Sequence, residues 1–171
     1  MNKQYAKALF EIAKEDKLLQ SCKESFDLFI TLLDQEDDFR LLLTSPKISL
    51  DNKKDLIKKS FKNVDDNFIY FIFVLLDNGR IEIVKDIYNS FVNLYNESNM
   101  IKNVVVLSSL ELDSKEFKKL KNSLENYYAG YKVIIENKID PSVIGGYHIL
   151  VNGLSIDLSV KHKIDSLKST L

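Results

Sequence analysis

With a single cysteine, Cys22, in 171 residues, the chain can form no internal disulfide and no thiolate metal cluster, and such sparse thiol usage fits a reducing compartment. Histidine is nearly as scarce. His148 and His162 are the only two, and neither stands in an HExxH or Cys–His spacing, so each reads as a structural or solvated side chain. Neither sign of charge dominates: 24 Lys and Arg against 25 Asp and Glu leave a formal charge of -1. That balance excludes a whole-protein field favouring nucleic acid or anionic lipid, and leaves recognition to local surface. Long apolar runs are absent as well. The longest, Phe68 to Leu76, is about half the ~20 residues that a membrane-spanning helix needs, so membrane association is expected to be peripheral. The N-terminus has neither the basic-plus-apolar layout of a signal peptide nor the Arg- and Ser-rich layout of a transit peptide.

What is present is ordinary for a globular protein, with 45% hydrophobic and 29% charged residues. The first hundred or so residues read as helix after helix. Residues 4 to 19 are expected to form the first, and Phe26, Phe29, Ile30 and Leu33 mark the stripe of a second. A short third helix, Phe39 to Thr44, should stop before Ser45-Pro46, because the residue before proline is steered away from the α region. Ser49 or Asp51 can start a fourth that runs to Phe61. Asp65 or Asp66 can cap a fifth through Leu76, which Asn78-Gly79 then ends. Ile83, Val84, Ile87, Tyr88, Phe91 and Tyr95 give a sixth helix its apolar stripe.

Between Glu97 and Lys102 the helical period gives way to the β-branched run Val104 to Leu107, which reads as a strand. Asp113 and Glu116 have capping-box spacing before a helix carrying Phe117, Leu120, Leu124 and Tyr127, and Lys132 to Lys138 reads as a second strand. Tyr147–Val151 and Leu154–Asp157 then flank Asn152-Gly153, a pair suited to a type I′ hairpin turn. A last helix, capped by Asp157 or Ser159, would present Val160, Ile164, Leu167 and Leu171 on one side. The fold class expected is therefore mostly α, with an N-terminal six-helix bundle over 1–99 and a small α+β domain over 103–171. Gly145-Gly146 lacks the GxxxxGK[ST] frame of a phosphate loop and reads as a close backbone approach. No catalytic constellation, cofactor motif or metal-ligand spacing is visible, and Asp34, Glu36, Asp37 and Asp38 read as a solvated turn.

The first helix carries more apolar surface than a surface helix needs. At ~100° per residue its apolar positions Tyr5 to Ala13 spread over roughly 200°, about twice the usual arc. Ala6, Phe10 and Ala13 lie on one side and Tyr5, Ala8 and Ile12 on the other, with Leu9 between them. The fifth helix is apolar nearly all round, with Phe71, Val74, Leu75 and Asn78 sharing one face. Pattern alone allows two readings: helices buried deep in their own bundle, or neighbours whose spare faces form a groove for a third amphipathic helix.

Four segments in order resemble the δ subunit of bacterial F-type ATP synthases, the family of the mitochondrial oligomycin-sensitivity-conferring protein. They are Tyr5-Ala6-Lys7-Ala8-Leu9-Phe10 with Ala13; Leu43-Thr44-Ser45-Pro46 with Lys53 and Lys54; Asp77-Asn78-Gly79-Arg80-Ile81; and Ile139 to Leu167 with its Asp140-Pro141 turn and glycine pair. The resemblance implies a non-catalytic stator subunit without cofactor or metal, peripheral at the cytoplasmic face of the bacterial membrane. Its helical domain would hold the N-terminal helix of an α subunit in a groove of Tyr5, Ala8, Leu9, Ile12, Phe71, Val74, Leu75 and Asn78. Its C-terminal domain would bind the b subunits. Asn78, Gly79, Gly145, Gly146, Asn152 and Gly153 would serve as structural turns. The alternative, an all-helical RNA-binding module of the transcription antitermination type, calls for a basic first helix, where this chain has Glu11 and Glu15.

Overall fold

In the computed structural model, residues 2–62, 64–141, 143, 147–151 and 154–156 are described. They form α1 (Asn2–Glu15), α2 (Leu19–Gln35), α3 (Asp37–Thr44), α4 (Leu50–Ser60) and α5 (Asp66–Asp77). A 3-10 turn (Ile81–Ile83) leads into α6 (Val84–Ser98), followed by β1 (Ile101–Ser108), α7 (Ser114–Tyr127), β2 (Lys132–Ile139), β3 (Tyr147–Val151) and β4 (Leu154–Ile156). The architecture is the expected one, a six-helix bundle followed by a small α+β domain. The chain divides into two compact units, Met1–Tyr95 and Asn96–Leu171, and α6 itself runs on to Ser98.

Local chemistry sets most of the helix ends. Ser49 accepts from the Asn52 amide at 3.3 Å and Asp65 from the Phe68 amide at 3.1 Å, so each satisfies an otherwise unpaired first-turn N–H. Ser45 is extended (φ -62, ψ 126) ahead of Pro46 and ends α3. At the end of α5 the Arg80 amide donates to the Leu75 carbonyl at 2.7 Å and the Gly79 amide to Leu76 at 3.0 Å, a Schellman closure in which Gly79 takes φ 62. The same closure ends α1: Leu18 donates to Ala13 at 2.8 Å and Lys17 to Lys14 at 3.2 Å, with Lys17 at φ 59. Helix α1 therefore stops at Glu15 rather than running to residue 19, and Leu19 opens α2.

The bundle core is aromatic. Phe26 of α2 lies 5.1 Å from Phe68, 5.9 Å from Phe71, 5.1 Å from Tyr88 and 5.6 Å from Phe91, centroid to centroid, which joins α2, α5 and α6 around one ring. Phe29 continues the cluster to Phe39 and Phe61. Cys22 is fully buried here, and burial pushes its thiol up to about 12, with the charge of Asp65 adding to the shift. A thiol held so firmly protonated is not a nucleophile.

The second unit is a four-stranded sheet in the order β2-β1-β3-β4. β1 and β2 are parallel, which requires a crossover, and α7 supplies it. The β1–β3 and β3–β4 pairs are antiparallel. Val151 pairs with Leu154, the register of a two-residue hairpin. Asn152, Gly153, Gly145, Gly146 and the expected last helix lie outside the described residues. Val104, Val106, Val133, Ile149 and Val151 pack against Leu120 and Leu124 of α7 as a separate core. The capping box is in place: the Asp113 carboxylate accepts from the Lys115 and Glu116 amides at 2.7 and 2.8 Å, and Glu116 accepts from the Asp113 amide at 3.3 Å.

Candidate functional site

Helices α1 and α5 pack side by side, and two polar ties fix their direction. Near the end of α1, Asp16 accepts from the Asn67 side-chain amide at the start of α5, at 2.9 Å. Near the start of α1, the Tyr5 hydroxyl accepts from Arg80, just past the end of α5, at 2.7 Å. The helices are thus antiparallel, with Ala8 and Ile12 of α1 and Tyr70 and Val74 of α5 falling between the two ties. The Schellman closure at Gly79 delivers Arg80 to this position, where its guanidinium also lies 5.4 Å from the Tyr5 ring centroid.

Each helix divides its apolar surface. In α1, Ala6, Leu9, Phe10 and Ala13 are buried in the bundle, while Ala8 is exposed, Ile12 is 47% exposed and Tyr5 is half-buried. In α5, Phe71 and Leu75 are buried, Val74 is half-buried, and Asn78 is exposed with its amide donating to the Val74 carbonyl at 2.7 Å. Leu9, Phe71 and Leu75 thus belong to the bundle's own core beneath the α1–α5 seam. Tyr5, Ala8, Ile12, Val74 and Asn78 reach its outer side. One residue absent from the sequence expectation joins them: Tyr70, 70% exposed. Asp66, Tyr70 and Asp77, spaced four and seven apart, form the wet stripe of an otherwise apolar helix, and that spacing was the available signal.

Among the described residues, no group of three or more His, Cys, Asp or Glu is placed to hold a metal ion. No helix among them is long and apolar enough to cross a membrane. What the arrangement offers is a shallow apolar seam between two antiparallel helices, held rigid from below by aromatic packing.

The family profile described as ATP synthase delta (OSCP) subunit matches residues 1–171. The chain is 32% identical over 169 residues to the ATP synthase subunit delta of Geobacillus sp. (strain WCH70), covering 99% of this chain and 95% of that protein. It is 30% identical to the subunit delta of Clostridioides difficile (strain 630), covering 98% and 93%. Its fold is similar to a chain of the Toxoplasma gondii mitochondrial ATP synthase hexamer, with a TM-score of 0.77 at 20% identity over 99% of this chain and 96% of that one. A chain of the Polytomella F-ATP synthase matches over 56% of this chain and 85% of its own, with a TM-score of 0.51 at 20% identity. The chain belongs to the ATP synthase delta (OSCP) subunit family.

Proposed function

We propose that this peripheral-stalk subunit of an F-type ATP synthase receives the N-terminal helix of an α subunit in the α1–α5 seam and meets the b subunits through its α+β unit, at the cytoplasmic face of a bacterial membrane. The subunit is not an enzyme; its work is mechanical. Ion flow turns the rotor, and a catalytic head not tied to the membrane stator would turn with it and dissipate the torque. Such a tether needs slow dissociation, which desolvated apolar contact supplies more readily than salt-screened surface charge.

The observation that carries the seam reading is the exposure of Ile12 and Tyr70 on two packed helices whose buried faces are already satisfied. An amphipathic helix laid between them would cover both side chains and contact Ala8, whose small size permits close approach. The RNA-binding alternative is not favoured: Glu11 and Glu15 are exposed on α1, and the family is that of a stator subunit.

Calorimetry with the α-subunit N-terminal peptide tests the reading. Ala8 is exposed, so Ala8→Asp leaves the bundle intact and buries a carboxylate only on binding, at a cost on the order of 2–5 kcal/mol. At ~1.4 kcal/mol per decade that is roughly a 30- to 3000-fold loss of affinity. Wild-type binding by a folded Ala8→Asp variant would place the peptide on another face.

A further inference from the structure

We infer that the α1–α5 seam selects a helix carrying lysine or arginine beside its apolar stripe, at the end that lies over Glu15, Asp16 and Asp66; this rests on the seam being the docking site. Lys3 borders Asp86, Asn89 and Ser90 of α6, and Lys14 lies over the Phe10 ring at 5.8 Å, so both turn away from the seam. Glu15 projects beside Ala8 and Ile12 at helical spacing. Asp16 closes the same end, and Asp66 opens α5 one residue before the Asn67 that reaches Asp16.

These three carboxylates are exposed, and no ion pair among the described residues includes them. Asp16 meets only the neutral amide of Asn67. Glu15 and Asp16 moreover sit at the C-terminal end of α1, where the helix carbonyls already make the potential negative and lysine is the favoured residue type. Lys14 of the same last turn is drawn over the Phe10 ring instead of pairing with them, so the three carboxylates keep no ion partner, two of them at a helix end that disfavours negative charge, a local conflict that a cation on a docked helix would relieve. At the far end the balance differs: Asp77 is paired with Lys54 at 2.6 Å, and Arg80 supplies a positive group beside Tyr5.

The test uses the full chain and two designed amphipathic peptides that share one Leu, Ile and Ala stripe, with flanking positions all lysine in one and all glutamate in the other. Fluorescence anisotropy at low salt should show the lysine peptide binding about tenfold tighter, a preference that shrinks as salt is added. Glu15→Lys with Asp66→Asn should abolish that preference; the first change is favoured by the dipole of α1 and the second keeps the size of an exposed side chain. Ala8→Asp should weaken both peptides. If both bind alike and Ala8→Asp still weakens them, the charge inference fails and the seam stands. No binding of either peptide, or binding indifferent to Ala8→Asp, overturns the seam reading and this inference with it.

Discussion

Arg80 donates a hydrogen bond of 2.7 Å to the hydroxyl of Tyr5, 75 positions earlier, and places its guanidinium 5.4 Å from the same ring's centroid. The start of α1 is thereby locked to the turn that ends α5. The tie depends on Gly79, whose φ of 62 turns the chain so that Arg80 faces back along the seam.

Tyr5→Phe removes the acceptor and keeps the ring, and Arg80→Ala removes both contacts. A double-mutant cycle read by urea unfolding should give a coupling of about 0.5–1.5 kcal/mol, the range of one part-buried polar bond, because the ring–guanidinium contact survives in Tyr5→Phe and drops out of the cycle. Additive effects of the two changes would show that the tie contributes nothing to stability.

The two Schellman closures make opposite predictions. Gly79 and Lys17 share the left-handed conformation, at φ 62 and 59, but only one is glycine. A Cβ on Gly79 would meet nothing within 4 Å, so Gly79→Ala should cost the backbone term alone, about 1 kcal/mol. Lys17→Gly should relieve the same strain and raise the stability measured by urea unfolding, by up to about 1 kcal/mol once the added freedom of the unfolded chain is subtracted. Loss of stability on Lys17→Gly would contradict this account of how α1 ends.

The buried thiol predicts a pH dependence. Below its ordinary value of 9.0, Cys22 is protonated in both states. Above that, the unfolded thiol ionises while the folded one holds its proton up to about 12. The folded state then binds more protons, so the contribution of Cys22 to stability is full below about 9 and is lost as pH rises toward 12. Iodoacetamide labelling should be negligible in the native protein at neutral pH and should follow the unfolding curve in urea. Rapid native labelling would mean that the site opens locally.

How much of this was legible in the sequence depended on whether the signal was local. Asn78-Gly79 and the Asp113–Glu116 box announce themselves because a cap involves only residues within one turn, and of the two candidates offered at each of the other starts the structure uses Ser49 over Asp51 and Asp65 over Asp66. The orientation of α5 was harder to read, since Phe68 to Leu76 is apolar nearly all round and only Asp66, Tyr70 and Asp77 mark its wet side. Packing of Phe68 and Phe71 against Phe26 of α2 decides which side of the run goes in, so that Leu75 is buried and Tyr70 stays out. Leu9 turned inward for the same reason. The end of α1 was hidden differently, because a lysine occupies the left-handed position where a glycine would have marked it.

The separate cores of the two units predict that a chain ending at Asn99 folds alone and holds the catalytic head, yet does not restore coupling. ATP hydrolysis and ion pumping, measured together in membrane vesicles with this shortened chain as the only delta subunit present, test the stator role most directly. Hydrolysis that continues while pumping collapses is the predicted result. Pumping at the level seen with the full chain would contradict it, because the α+β unit would then not be the link to the b subunits.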